Sequence, residues 1–173
     1  MEALAGPVIV CAALLVLAGA LKIARPAPTA GALRAVDLPS ALPLVRLLGA
    51  VEVVVGTTAA ITLSPPLLAL VAALYLGFAT FVVVALARHA PLQSCGCFGQ
   101  VDTPPSVLHL GLNLVSAGVA IAAAVTDTPN LRAVLADQQW HAVPFVLLVA
   151  ICLYLCVALA TVLPLTPRSS AHA

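Results

Sequence analysis

Charge is what this chain has least of. Seven Lys and Arg and six Asp and Glu make up 8% of its 173 residues, where a soluble domain carries roughly a quarter. So few charges cannot keep a folded surface of this size in water, which excludes a soluble globular domain. The net charge is +1, and that gives no electrostatic footing for a nucleic-acid partner. Aromatic residues are scarce at 4%, with a single Trp. Internal repeats of solenoid period are absent. The five cysteines lack the doubled C-x₂₋₄-C spacing of a structural zinc site.

What the chain does have is apolar length, 63% of its residues being hydrophobic. Five stretches, at about 5–23, 42–63, 66–87, 107–125 and 143–163, approach the roughly 20 residues that a helix needs to cross a ~30 Å hydrocarbon layer. Lipid offers no partner for backbone N–H and C=O groups, so such segments must be helical. This overrides the strand propensity of Val-rich runs such as Val51–Val55 and Val82–Val84. The expected fold is all-α: one integral membrane domain over 1–173, a multi-pass helical bundle with a four-helix core plus a C-terminal helix. The expected location is the cell membrane, with the lipid bilayer as surroundings. The first stretch carries Glu2 and no Lys or Arg before it, so it is expected to be retained rather than cleaved as a signal peptide.

With five spans, Lys22, Arg25, Arg34, Arg46, Arg88 and Arg168 fall on one side and only Arg132 on the other. The positive-inside rule then puts the N-terminus outside and the loop between the third and fourth spans in the cytoplasm. Pro26, Pro28 and Pro39 interrupt the linker 24–41, whose middle, 31–38, is expected to form a short interfacial helix. Ser64-Pro65-Pro66 reads as a tight turn between antiparallel neighbours. Trp140 is expected to anchor the interface before the last span. Gly49, Gly56, Gly77, Gly111 and Gly118 lie inside spans, where small residues permit close helix approach.

The chemistry concentrates in Cys95-Gly96-Cys97-Phe98-Gly99, between the third and fourth spans. A thiolate is the nucleophile of disulfide exchange, and a neighbouring thiol resolves the mixed disulfide. One intervening residue makes ring closure strained, hence easily reduced, and Gly96 relieves part of that strain through its wide φ range. The same two thiols suit a soft ion such as Cu(I) or Hg(II), with His89 and His109 as further ligands. Two unreactive thiols in a membrane scaffold are the third alternative.

Glu52 lies about 13 Å into the second span at 1.5 Å per residue. A carboxylate at that depth must be protonated, paired or turned to a cavity. Lys22 and Arg46 are its candidate partners, and a proton or quinone site is the functional alternative. His109, Asn113 and Ser116 recur at helical spacing in the fourth span. They form a polar stripe that must face protein or a cavity, as an aid to the thiols, a head-group site, or interhelical hydrogen bonds. Cys152 and Cys156 share a helix face, as a second redox pair or as packing. Cys11 reads as a small apolar residue.

In order and content these features resemble the MauE family of methylamine-utilisation membrane proteins, within the wider DoxX-like group. The matching elements are Leu21-Lys22 closing the first helix, Glu52 in Leu48-Gly49-Ala50-Val51-Glu52, and Cys95-Gly96-Cys97-Phe98-Gly99 with Ser106 ahead of the fourth helix. They cover 19–120. Asn113 falls where that family carries an Arg-Asn pair, and Leu112 stands here in place of the Arg. The resemblance implies a protein that forms or handles disulfides beside a thioredoxin-like partner outside the cytoplasm, the side opposite to the one the charges favour. The expectation is thus a candidate thiol–disulfide oxidoreductase. Cys95 and Cys97 carry the exchange, Glu52 and His109 assist proton movement or quinone binding, and Asn113 and Ser116 bind a cofactor for which a quinone is the candidate.

Overall fold

The computed structural model describes residues 4–88, 105–126 and 142–162. The loop with Cys95 and Cys97, together with His89, Arg132, Trp140 and Arg168, lies outside the described residues.

Six helices make up the described chain: α1 (Ala5–Ala24), α2 (Pro26–Arg34), α3 (Leu42–Thr62), α4 (Pro65–Ala87), α5 (Val107–Ala124) and α6 (Ala142–Val162). No strand occurs among the described residues. Four of them, α1, α3, α4 and α5, are long and apolar enough to cross a membrane, and α6 adds an apolar stretch over Val146–Ala158. This is a multi-pass, all-α membrane protein. Span boundaries read from hydropathy fall within one residue of the helix ends, because in lipid the apolar run and the helix are the same object.

Proline sets the breaks. Pro26 restricts Arg25 to non-helical backbone (φ −137°, ψ 74°), so α1 stops and α2 starts with Pro26 at its first position, where a missing N–H is harmless. The short helix therefore spans Pro26–Arg34 and not 31–38: prolines expected to prevent a helix instead begin one. α3 ends at Leu63, held in the left-handed region (φ 49°) while buried, and Ser64 is extended ahead of Pro65, so α4 turns back antiparallel.

α1 packs most closely against α3, and α4 against α5. At the α1–α3 contact the two backbones nearly touch. A Cβ added to Gly19 would lie 2.5 Å from the Gly49 carbonyl oxygen, and one on Gly56 would lie 2.8 Å from that of Ala12. Small residues let helices approach this closely, which replaces the hydrophobic drive that lipid does not supply. Gly77, Gly111 and Gly118 have nothing within 4 Å of such a Cβ. The sequence expectation that they sit at helix contacts is therefore corrected, since these three face open space. Apolar side chains including Leu47, Val54, Ile61 and Val115 point outward, as a lipid-facing surface requires.

Candidate functional site

Two membrane ends follow from this antiparallel order. One collects the C-termini of α1 and α4, the N-termini of α3 and α5, and α2. Every described Lys and Arg (Lys22, Arg25, Arg34, Arg46 and Arg88) belongs to this end. Arg88 fastens α4 to the turn after α2, donating to the Val36 carbonyl at 2.9 Å and to the Asp37 carboxylate at 2.9 Å. Asp37 there adopts φ 58°.

Lys22 is the exception among these cations because it is buried. Its Nζ donates to Oε2 of Glu52 at 2.8 Å, with side-chain exposures of 4% and 0%. The close Gly19–Gly49 crossing brings the two side chains together: a Cβ on Gly19 would lie 2.8 Å from that of Glu52, and one on Gly49 would lie 3.0 Å from that of Lys22. The Nζ also lies 4.9 Å from the centroid of the Phe78 ring, a cation–π contact on a desolvated ammonium. Of the two expected partners of Glu52, Lys22 is the one used, while Arg46 is exposed. The second carboxylate oxygen, Oε1, is buried with no hydrogen-bond partner among the described residues.

α5 opens with a compact polar cluster. Ser106 Oγ and His109 Nδ1 are 2.8 Å apart, and the Asn113 side-chain amide donates to the His109 carbonyl at 2.7 Å. His109 and Ser116 are buried. The stripe read from helical spacing is therefore real, and it faces inward.

Inward here means a cavity of about 370 Å³ between α1, α4, α5 and α6. Lys22, His109, Asn113 and Ser116 line it, as do Tyr75 and Phe78 of α4 and Cys11, Cys152 and Cys156. Tyr75 donates its hydroxyl to the Cys11 carbonyl at 2.6 Å, which fixes the ring against α1. The structure thus unites three of the expected site residues on one wall. Glu52 does not line the cavity but stands behind Lys22. Cys95 and Cys97 belong to a segment that leaves α4 at Arg88 and enters α5 at Pro105, both at the Lys22–His109 end. Among the described residues no group of three His, Cys, Asp or Glu is arranged to hold a metal ion.

Lys22 as a cavity residue was missed in the sequence, where it reads as a topology charge and a candidate partner of Glu52. Its place four residues before Pro26, still inside the apolar run, was the available signal. Tyr75, one of two Tyr and set in mid-span, was another.

The family described as methylamine utilisation protein MauE matches residues 2–126, which takes in α1 to α5 and every residue of the polar cluster. No curated protein and no solved structure matches the chain.

Proposed function

The chain belongs to the MauE family of methylamine utilisation proteins, and we propose that within it this membrane protein performs thiol–disulfide exchange through Cys95 and Cys97. One observation carries this most directly. The two thiols, a single residue apart, are tethered at both sides to the helix end where a buried Lys22–Glu52 pair and the His109 cluster meet. A redox dithiol needs a partner that takes or gives two electrons, and a site where protons move with them. Closing the Cys95–Cys97 bond breaks two S–H bonds, forms one S–S bond, and releases two electrons and two protons. A thioredoxin-like disulfide accepts these to become two thiols, and a quinone accepts them to become a hydroquinone.

Each neighbouring group has a task in that exchange. His109, beside Ser106, is within one helical turn of the point where the thiol segment enters α5, and an imidazole there relays protons at neutral pH. Lys22 and Glu52 together keep a charged pair in the bundle without net charge, so that end stays polar inside lipid. The clustered cations favour the cytoplasm for this end by the positive-inside rule. The family resemblance implies the opposite side, and thiol labelling distinguishes the two.

Purified protein in lipid nanodiscs, equilibrated in glutathione buffers of stepped potential and then alkylated, gives the test. The expected result is one two-electron transition that disappears in Cys97→Ser. Two thiols alkylated at every potential refute the assignment, and stoichiometric Cu(I) held by Cys95 and Cys97 replaces it with soft-metal binding.

A further inference from the structure

We propose that the cavity between α1, α4, α5 and α6 is a binding site for a lipid-soluble quinone, which enters sideways from the bilayer between α5 and α6. As the electron acceptor of the dithiol, this ligand rests on the exchange reaction above; as a bound molecule, it stands on the geometry of the cavity.

Shape comes first. The lining runs along α1 from Gly6 to Lys22, a rise of about 24 Å at 1.5 Å per residue. A volume of about 370 Å³ drawn out over that length makes a narrow slot, inside the ~300–1,000 Å³ range of ligand pockets. Such a slot fits an extended tail and not a compact solute.

Polarity comes second. Lys22 is the third residue from the end of α1 and His109 the third residue of α5, so these groups and Asn113 gather at one end. The far end is apolar, with Gly6, Pro7 and Val10 on α1. A molecule with one polar head and a hydrocarbon tail matches this gradient.

The head group's chemistry follows from the charges. Glu52 neutralises Lys22 at 2.8 Å, so the polar end has no net attraction for an anion such as a fatty-acid carboxylate. The ammonium offers N–H donors to a neutral carbonyl oxygen. Asn113 and Ser116 both donate and accept, which suits a head that is a carbonyl when oxidised and a hydroxyl when reduced. The Phe78 and Tyr75 rings, 6.2 Å apart and nearly perpendicular, give a planar head an aromatic wall.

The entrance is the gap between α5 and α6. Both pack on α1, yet they scarcely touch each other. Val115 on α5 and Leu148 on α6 line the cavity while 66% and 60% exposed, so the slot opens on the lipid face.

Saturable binding of a tritiated benzoquinone that carries a decyl tail to nanodisc-embedded protein tests this. Wild type and Cys95→Ser/Cys97→Ser are expected to bind alike, because the described lining of the cavity is built from other residues. Val115→Trp and Leu148→Trp, which close the gap, are each expected to weaken binding at least tenfold, as is Lys22→Met/Glu52→Leu, which removes the ammonium donor. Val54→Trp, on the lipid face of α3, is the control and is expected to leave binding unchanged. Absence of saturable binding, or equal binding in both gap variants and wild type, overturns the site. Equal competition by a medium-chain fatty acid overturns the choice of a quinone head. If quinone binds as described while Cys95 and Cys97 fail to titrate, the exchange reaction falls and the cavity assignment stands.

Discussion

Replacing Lys22 by Met leaves the Glu52 carboxylate, 0% exposed, without its counter-charge. The Coulomb attraction at 2.8 Å amounts to about 6 kcal/mol at an effective dielectric of about 20. Most of that offsets the several kcal/mol needed to dehydrate each ion, so the intact pair adds little net stability. Removing one partner forfeits the attraction and keeps the dehydration cost, and buried pairs broken this way lose about 3–5 kcal/mol. Because Oε1 of Glu52 already has no partner, Lys22→Met belongs at the upper part of that range. The double variant Lys22→Met/Glu52→Leu removes both ions and fills similar space, so it is expected within about 1 kcal/mol of wild type. Reversible unfolding in mixed detergent micelles, followed by circular dichroism, measures all four corners of the cycle. A Lys22→Met variant as stable as wild type, or a double variant as unstable as the single, would refute the buried pair.

Other consequences follow from the same geometry. Gly19→Val puts a branched side chain 2.5 Å from the Gly49 carbonyl oxygen, and the loss of the α1–α3 contact is expected to destabilise by about 1–3 kcal/mol, as overpacking does. By contrast, Gly77→Ala meets nothing within 4 Å and is expected to be neutral or to gain up to ~1 kcal/mol from helix propensity; thermal melts of the two variants in detergent check the contrast. Tyr75→Phe removes the 2.6 Å hydrogen bond to the Cys11 carbonyl and is expected to lower stability by about 1 kcal/mol in the same melts. Asp37→Asn, which breaks an exposed ion pair with Arg88, is expected to cost less than about 1 kcal/mol. A membrane-impermeant maleimide on intact cells is expected to spare Cys95 and Cys97 until the membrane is permeabilised, as the positive-inside rule requires.

The spans were legible because lipid imposes one rule on every residue: apolar side chains outside, backbone bonds satisfied within. The stripe His109, Asn113 and Ser116 was legible for the same reason, since its spacing admits one helix face and lipid rejects polar groups. Glu52 announced a partner but not which one. Choosing Lys22 over Arg46 required the crossing of α1 and α3, a long-range contact set by Gly19 and Gly49 that no local pattern reports. Likewise, Gly77 and Gly49 look alike in sequence, and only the helix rotation places one in open space and the other against a backbone. The cavity arises from how α6 rests on α1 without closing on α5, which is a packing outcome and leaves no local mark. Pro26 misled because proline both ends one helix and begins another.

The most direct test of the exchange reaction is the thiol state of Cys95 and Cys97 in living cells. Cultures are acid-quenched, alkylated with one maleimide, reduced, and alkylated with a heavier one, and the mass of the protein is read. A redox-active pair gives two species, one with both thiols free and one with both linked, and their ratio shifts when the culture is treated with a mild oxidant or reductant. A single fully reduced species, unchanged by either treatment, would contradict thiol–disulfide exchange by this protein.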